Sequence, residues 1–292
     1  LCDYLVNNDH KVIVIDDLST GHHSNLASIM DSITFFNEKF EYFDFECISE
    51  IDAIVHLAAQ PFVPLSISDF GNSSSANVLG TIRLIDYCRI KRIPLVYASS
   101  SAIYGDLEMG DDSSTKIDLL SPYATDKYVM ELYAKTAYKL YQFSSIGLRF
   151  FNVYGPRQDP RNPYSGVIST FVDRLLREVP LVINGGYQTR DFIYVDDVID
   201  ATISSANIDN TGEIINIGGG EVISISKVIS ILKNICNYEP KILYKPFSNG
   251  DVLRTEADIN KAKRLLNFKP KTSLKNGLFL EYEYAKRNKI LY

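Results

Sequence analysis

Short apolar runs alternate with helical stretches along the first half of the chain, and this alternation restricts the possible folds more than any other feature. Stretches such as SANVLGTIRLIDYCRI separate the runs. The runs are KVIVID (11–16), AIVHLAA (53–59), PLVYASS (94–100) and SIGLRFFNV (145–153). Continuous apolar strands joined by helices are typical of parallel strands that are buried on both faces and linked by right-handed crossovers. The sequence therefore predicts an α/β fold with a doubly wound parallel sheet.

The character of the sequence changes after residue 153, where GPRQDPRNPYSG is rich in proline, glycine and arginine. Two later stretches, RDFIYVDDVIDATISSA and EIINIGGG, again have the pattern of a sheet domain. Two domains are therefore predicted to interleave along the chain. We expect the sheet domain at residues 1–152 and 191–217 and a smaller α/β domain at 153–190 and 218–292, with a ligand cleft between them.

Composition and charge argue against several classes of protein. The net charge of −6 disfavours general binding to nucleic acid, because such proteins usually gather lysine and arginine in a stripe. No apolar run reaches the roughly 18 residues of a membrane span. The four cysteines have no Cys-x-x-Cys spacing, which favours reduced thiols in the cytoplasm over disulfides. His22 and His23 have no potential ligands at the right spacing, so we expect no metal site.

Three consecutive serines, Ser99 to Ser101, stand where the third apolar run ends. In doubly wound sheets, ligands bind beyond the carboxyl ends of the strands. These hydroxyls therefore either cap a turn or act on a ligand.

A second signal is Tyr123 followed by Lys127, because residues four apart lie on one face of a helix. Ser121 and Pro122 just before them are typical of a helix start. An ammonium close to a phenol lowers the pKa of the phenol by about 1–3 units from about 10, which gives a usable base. A serine hydroxyl, a phenol and an ammonium at one cleft suit the removal of a proton from a substrate hydroxyl while a cofactor takes hydride.

The same spacing also occurs at Tyr87/Lys91 and at Tyr282/Lys286, so the spacing alone proves little. Neither of these pairs follows a serine cluster. We expect both to be ordinary surface packing.

Five separated motifs together resemble the extended short-chain dehydrogenase/reductase family. They are YASSSAIYGD, SPYATDK, LRFFNVYGPRQDP, QTRDFIYVDDV and GDVLRTEADINKAKRLL, in this order. Within the family, the chain is most similar to NAD-dependent nucleotide-sugar 4-epimerases, especially those of the UDP-N-acetylglucosamine type. The resemblance spans essentially the whole chain and implies a Rossmann domain with a smaller α/β substrate domain.

The resemblance implies three catalytic residues, Ser100, Tyr123 and Lys127. Tyr123 would remove the proton of the sugar C4 hydroxyl while the C4 hydride passes to the nicotinamide, and Ser100 would share the hydrogen bond. The hydride would then return to the opposite face of the sugar. Ser99 and Ser101 would support Ser100 or cap the strand end.

Two neighbouring positions separate this activity from its relatives. Sugar-nucleotide dehydratases of the family carry an acidic pair at the positions of Ser101 and Ala102. The decarboxylases of the family carry a glutamate at the position of Ala102. Without a carboxyl group there, the site keeps only oxidation and reduction at one carbon, which suits epimerisation.

The resemblance implies NAD as the cofactor. Asp16, at the end of KVIVID, would accept both ribose hydroxyls and repel a 2′-phosphate, although a turn-forming aspartate is the alternative. Ala58 and Ala59 would allow close approach of the dinucleotide, or they simply pack in their strand. The full predicted set of cofactor contacts is Asp16, Ala58, Ala59, Asn77, Tyr123 and Lys127.

The glycine-rich phosphate loop of the family is absent from the sequence. The chain starts with LCDYLVNNDH, which has the pattern of the second half of a helix. We expect a truncated N terminus that lacks the first strand and this loop.

The resemblance also implies the substrate contacts. Arg190 would bind the diphosphate, and the alternative is an exposed arginine paired with Asp191. Thr255 occupies a position where a small residue admits an acetamido group, and the alternative is an ordinary loop residue. The full predicted set is Ser101, Asn152, Gln158, Gly166, Arg190, Asp251 and Thr255.

We therefore expect NAD-dependent 4-epimerisation of a UDP-sugar, UDP-N-acetylglucosamine/UDP-N-acetylgalactosamine, in a cytoplasmic protein that binds neither nucleic acid nor membrane. Apolar stripes around residues 80–92 and 122–142 fit a homodimer, or equally a core face. The alternatives are a uronate epimerase, a decarboxylase, a 4-keto reductase, or a non-catalytic protein that binds a nucleotide sugar.

Overall fold

The computed structural model describes residues 1–162, 165–208, 211–247 and 252–288. The helices are α1 (Cys2–Asn7), α2 (Val63–Ser68), α3 (Phe70–Ser74), α4 (Thr81–Lys91), α5 (Pro122–Tyr141), α6 (Val167–Leu176), α7 (Val195–Ala206), α8 (Ile225–Cys236), α9 (Asn260–Leu266) and α10 (Leu274–Arg287). The strands are β1 (Val12–Ile15), β2 (Ile33–Phe36), β3 (Ile54–His56), β4 (Leu95–Ser100), β5 (Ser145–Phe150), β6 (Asn152–Tyr154), β7 (Leu181–Asn184), β8 (Thr189–Arg190), β9 (Phe192–Tyr194), β10 (Ile214–Ile217), β11 (Ile223–Ser224) and β12 (Ile242–Lys245). A π-helical turn, Ser75–Gly80, joins α3 to α4.

The central sheet is parallel, with strand order β10-β5-β4-β3. Strands β1 and β2 form a separate parallel pair. Helix α4 connects β3 to β4, and α5 connects β4 to β5. Each of the four predicted apolar runs contains a strand, so the α/β fold with parallel strands is confirmed. The register pairs Ser100 with Phe150, which brings the end of β4 next to the end of β5.

Helices cover both faces of the central sheet, which explains why its strands are apolar throughout. Helices α4 and α5 cover one face, where Leu84, Tyr97 and Met130 belong to one buried cluster. Helices α7 and α9 cover the other face, where Ile215 and Leu266 are buried. Helix α9 lies in the segment expected to belong to the smaller domain, yet its apolar side packs on the sheet. The remaining domain boundaries stay a prediction.

A second core lies among α6, α8, α10 and β7, where Phe171, Leu181, Val228, Leu232 and Leu278 are buried. Strand β12 extends β7 as a parallel neighbour. This core is the smaller α/β unit that the sequence predicted after residue 153.

All four cysteines are free thiols. No helix in the described part of the chain is both long enough and apolar enough to cross a membrane.

Glu281 of α10 is a buried carboxyl group whose ionisation should make stability depend on pH. It is 4% exposed, and its Oε2 has no hydrogen-bond partner among the described residues. Burial raises the pKa of Glu281 to about 7 from an ordinary 4.5. The folded protein therefore keeps this proton at pH values where the unfolded chain has lost it, so stability falls as pH rises from 4.5 to 7.

We expect Glu281→Gln to remove this contribution to the pH dependence. The free energy of unfolding should then fall by about 3 kcal/mol less between pH 4 and pH 8 in the variant than in the wild-type protein. Urea unfolding at the two pH values measures the difference. Glu283→Gln, on the same helix but more exposed, is the control and should keep the wild-type dependence. Equal pH dependence in wild type and Glu281→Gln would contradict the assignment.

Candidate active site

Helix α5 begins as the sequence predicts and carries two site residues on one face. The Ser121 hydroxyl accepts the backbone N–H of Ala124 at 3.1 Å, with a proline in the first turn. One turn apart, Lys127 Nζ lies 5.9 Å from the centroid of the Tyr123 ring. The same ammonium donates to the carbonyl of Ala98 in β4 at 2.8 Å. Both side chains therefore lie beside the strand that ends in the serine cluster.

The three serines have separate roles. Ser99 is 3% exposed and donates to Glu131 Oε1 at 2.5 Å, so it belongs to the interior. The Ser100 hydroxyl accepts the backbone N–H of Ala102 at 3.1 Å and acts on the Tyr123 phenol, whose pKa it lowers. Ser101 begins a short 3₁₀ turn, Ser101–Tyr104, and is half-buried. The structure thus brings Ser100, Tyr123 and Lys127 together.

The other two Tyr-x-x-x-Lys pairs show why spacing is a poor guide. Lys91 and Lys286 also lie 5.9 Å from the ring centroids of Tyr87 and Tyr282. Both of these lysines are exposed, as expected for surface packing, but the Tyr282 ring is buried in the second core, so the expectation was wrong for that ring. Lys127, in contrast, is only 2% exposed.

The pKa of Tyr123 corrects one expectation from the sequence. Burial raises the pKa of this phenol above 10, the hydrogen bond from Ser100 opposes the rise, and the charge of Asp126 adds to it. The sequence predicted a phenol whose pKa is lowered by Lys127. Burial prevails because it disfavours both charged forms, and it also lowers the pKa of Lys127 to about 8.

The predicted cofactor residues follow strands β1 and β3. Asp16 is exposed just after β1, and its Oδ1 accepts the backbone N–H of Leu18 at 2.8 Å. The turn-forming role is therefore present, and the carboxylate remains open to solvent. Ala58 and Ala59 are half-buried just beyond β3.

Asn77 is 1% exposed, and its side chain is used inside the protein. Its Nδ2 donates to Gln60 O and to Asp126 Oδ2, both at 3.1 Å, and its Oδ1 accepts from Gln60 N at 2.8 Å. Asn77 therefore braces the loop after β3 against α5. A direct contact with the cofactor stays a prediction.

The side chains present fit NAD. The open carboxylate of Asp16 suits two ribose hydroxyls and repels a 2′-phosphate. The buried Tyr123 and Lys127 supply a phenol and an ammonium beside the end of β4, where a doubly wound sheet binds its ligand.

Asp191 is a buried residue that forms hydrogen bonds to several segments of the chain near the predicted substrate contacts. Its carboxylate is 0% exposed and accepts the backbone N–H groups of Gly219 at 2.5 Å, Gly220 at 3.0 Å and Ala257 at 3.2 Å. Burial raises the pKa of Asp191 to about 6 despite these hydrogen bonds. One side chain thus joins three separate segments of the chain.

Three predicted substrate residues, Asn152, Arg190 and Thr255, meet around Asp191. The Thr255 hydroxyl donates to Asn152 Oδ1 at 2.9 Å and accepts the Asp191 N–H at 3.0 Å. A direct contact of Thr255 with the substrate stays a prediction. Arg190 is 9% exposed and donates to the carbonyl of Thr189 at 2.9 Å. The alternative of an exposed Arg190 paired with Asp191 is therefore wrong.

Gln158 and Gly166 are neighbours of each other. A Cβ added to Gly166 would lie 3.2 Å from Gln158 Oε1, an oxygen that is buried without a partner in the described ranges. Asp251, also predicted to contact the substrate, lies outside the described residues. No cluster of potential metal ligands occurs in the described ranges.

Sequence reasoning missed the polar interior behind the site. Arg149 of β5 forms two hydrogen bonds with Glu131 of α5, at 2.8 and 2.6 Å, and donates to the Tyr104 hydroxyl at 2.7 Å. The Tyr104 hydroxyl donates in turn to Asn216 at 2.8 Å. The signal was an arginine inside SIGLRFFNV, because a charge in a strand buried on both faces requires a partner.

A family model described as the NAD dependent epimerase/dehydratase family matches residues 1–218. Among curated proteins, a putative UDP-glucose 4-epimerase of Methanocaldococcus jannaschii is 36% identical, over 99% of this chain and 94% of its own length.

Solved structures of UDP-sugar 4-epimerases are also similar to this chain. UDP-glucose 4-epimerase of Thermotoga maritima, with UDP-glucose, has a TM-score of 0.92 at 32% identity, over 99% of this chain and 95% of that one. UDP-N-acetylglucosamine 4-epimerase of Methanobrevibacter ruminantium, with UDP-N-acetylmuramic acid, has a TM-score of 0.92 at 31% identity, over 98% and 93%. UDP-glucuronic acid 4-epimerase of Bacillus cereus, with UDP-glucuronic acid and NAD, has a TM-score of 0.89 at 31% identity, over 98% and 94%.

The parallel sheet, the Tyr123–Lys127 face of α5 and these likenesses all agree with the resemblance to the extended short-chain dehydrogenases/reductases. The chain is an NAD-dependent enzyme and belongs to the NAD dependent epimerase/dehydratase family.

Proposed function

We propose that the protein is a UDP-sugar 4-epimerase whose preferred substrates are UDP-N-acetylglucosamine and UDP-N-acetylgalactosamine. The observation that carries the proposal is that Ser100, at the end of β4, acts on the Tyr123 phenol and lowers its pKa, while the buried Lys127 Nζ lies 5.9 Å from the centroid of the Tyr123 ring. The relatives act on several UDP-sugars according to their names, so the acetamido preference rests on residues of this chain.

The chemistry assigned to the site begins with the proton of the C4 hydroxyl. Tyr123 takes this proton while Ser100 shares its hydrogen bond with the same oxygen. NAD, which Asp16, Tyr123 and Lys127 would help to hold, would supply the hydride transfer at C4 that inverts this carbon. Tyr123 then gives the proton back to the oxygen on C4. The reaction therefore involves no net oxidation, and neither Ser101 nor Ala102 offers a carboxyl group for elimination or decarboxylation.

The acetamido preference is argued from Thr255. Its hydroxyl is held by Asn152 and Asp191, which fixes this small side chain in place. A small residue here leaves room for an acetamido group, whereas a bulky one would restrict the site to plain hexoses.

We also propose that the protein acts as a homodimer in the cytoplasm. Helices α4 and α5 pack side by side and carry exposed apolar residues on their outer surface. These residues are Leu79, which precedes α4, together with Ile90, Leu132, Tyr133, Leu140 and Tyr141. A second copy that packs on this surface would remove them from water.

Tyr123→Phe should lower kcat for epimerisation by about 10²–10⁴-fold with little change in KM, because it removes the group that transfers the proton. Tyr87→Phe is the matched control, since Tyr87 has the same distance to its lysine but lies away from the site. Resolving the C4 epimers formed with time gives both constants. Wild-type turnover by Tyr123→Phe would remove Tyr123 as the base.

The substrate preference is tested by incubating the protein separately with UDP-glucose, UDP-N-acetylglucosamine and UDP-glucuronic acid. We expect the highest kcat/KM with UDP-N-acetylglucosamine. Thr255→Tyr should lower that value by about 10–200-fold and affect UDP-glucose less, because one group in a pocket is worth this much selectivity. A higher kcat/KM with UDP-glucuronic acid in the wild-type protein would instead assign the uronate epimerase activity.

The dimer is tested by light scattering after size exclusion. We expect the mass of two chains for the wild-type protein and of one chain for Leu132→Glu, because a buried carboxylate opposes association. Phe279→Glu, on the exposed side of α10, is the control and should leave the mass unchanged. A wild-type protein with the mass of a single chain would rule out the dimer.

A further inference from the structure

Lys127 is a buried ammonium without an ion pair. It is 2% exposed, and its Nζ donates to the Ala98 carbonyl at 2.8 Å. Within the described ranges, no carboxylate oxygen lies within 4 Å of this nitrogen. A buried amine in such surroundings tends to lose its proton, since burial disfavours the charged form. A negative charge at longer range is therefore needed to keep it an ammonium.

Asp126 is a buried carboxylate next to Lys127 in the chain. It is 4% exposed, and its carboxylate accepts hydrogen bonds from neutral groups: Ser74 Oγ at 2.7 Å, Asn77 Nδ2 at 3.1 Å and Ser73 Oγ at 3.4 Å. No cationic nitrogen of the described residues lies within 4 Å of it. Its negative charge is therefore solvated by the protein but not cancelled by a cation.

The other groups around Lys127 carry little net charge. Glu131, one turn further along α5, is matched by Arg149 through hydrogen bonds of 2.8 and 2.6 Å. His56 of β3 is neutral, because burial lowers its pKa to about 3. Burial raises the pKa of Tyr123, which disfavours a negative charge on its phenol. Asp126 is thus the unmatched charge among these neighbours.

We propose that Asp126 is a positioning residue that supplies the counter-charge of Lys127 and, through Asn77, fixes the loop after β3 against the helix that bears the catalytic residues. This inference rests on the proposed function only in naming Lys127 as a residue of the reaction. The acid–base pattern agrees with the geometry. Burial lowers the pKa of Lys127 to about 8, and Asp126 followed by Glu131 are the charges that raise it.

Removal of the Asp126 charge should act on two groups in the same direction. An anion favours a protonated lysine and disfavours a phenolate, so its loss lowers the pKa of both Lys127 and Tyr123. A residue with a purely structural role would not move both values down together.

The experiment is an NMR titration of the protein labelled with ¹³Cε-lysine, without substrate, in which Lys127→Arg identifies the Lys127 resonance. We expect a wild-type midpoint near 8 and a midpoint about 1 unit lower in Asp126→Asn. Asp126→Glu, which keeps the charge, should return most of the difference. Asp86→Asn, an exposed residue of α4, should leave the midpoint unchanged.

An Asp126→Asn midpoint within about 0.2 units of the wild-type value would overturn the proposal, because an effective counter-charge shifts a pKa by about 1 unit or more. The proposal would also be overturned if Asp126→Glu had the same Lys127 midpoint as Asp126→Asn. That result would show that the size of the side chain matters and its charge does not. If Asp126→Asn does not fold, Asp126→Ser replaces it as the neutral variant. If neither folds, the wild-type titration decides: a midpoint near 8 supports the counter-charge, and about 6 or less, as in uncompensated buried lysines, contradicts it.

Kinetics separate this proposal from the proposed function. In the epimerase assay, both limbs of the pH profile of kcat/KM should move to lower pH in Asp126→Asn. A shifted NMR midpoint in a protein that epimerises no UDP-sugar would support the role of Asp126 and reject the proposed function. An active epimerase whose Lys127 midpoint is unchanged in Asp126→Asn would support the proposed function and reject the role of Asp126.

Discussion

The buried ion pair between Glu131 and Arg149 is the interaction on which the arrangement of the site depends. Glu131 lies on α5 two turns beyond Tyr123, and it accepts hydrogen bonds from Arg149 of β5 and from Ser99 of β4. Loss of one partner of such a pair costs about 3–5 kcal/mol, because the other charge is left buried and unmatched. The pair therefore fixes the position of α5 relative to β4 and β5. Because Ser99 is bound to the same Glu131, the next residue in β4, Ser100, is fixed relative to α5 as well.

The burial that orders the site also sets its acid–base chemistry. It raises the pKa of the Tyr123 phenol and lowers the pKa of Lys127, so both groups are biased toward their neutral forms. Hydrogen bonds and nearby charges then adjust each group separately. The Ser100 hydroxyl acts on the phenol alone, whereas Asp126 acts on both. The reactivity of the site is thus a balance between desolvation and a few fixed polar groups, and the Tyr-x-x-x-Lys spacing by itself does not determine it.

The sequence predicted the parallel sheet, the start of α5 and the grouping of the serine cluster with Tyr123 and Lys127, because each follows from local patterns or from strand ends. The choice of Ser100 among the three serines came from the family resemblance. It did not predict the role of Asp191, whose three amide partners come from two segments far apart in the chain, Gly219 with Gly220 and Ala257. It also gave the wrong direction for the pKa of Tyr123, because the degree of burial depends on tertiary packing. Helix α9 was expected in the smaller domain for a similar reason, since an amphipathic helix does not indicate which core it covers.

Strand β10 pairs with β5 at the edge of the central sheet, although residues 151–213 separate them along the chain. Helix α9, which packs on the same sheet, comes later still. The sheet therefore cannot reach its final form on the ribosome until most of the polypeptide has emerged. Until then, one side of β5 presents unpaired backbone groups to its surroundings, as any unprotected sheet edge does. During synthesis, a chain with this topology has to keep that edge from pairing with neighbouring nascent chains.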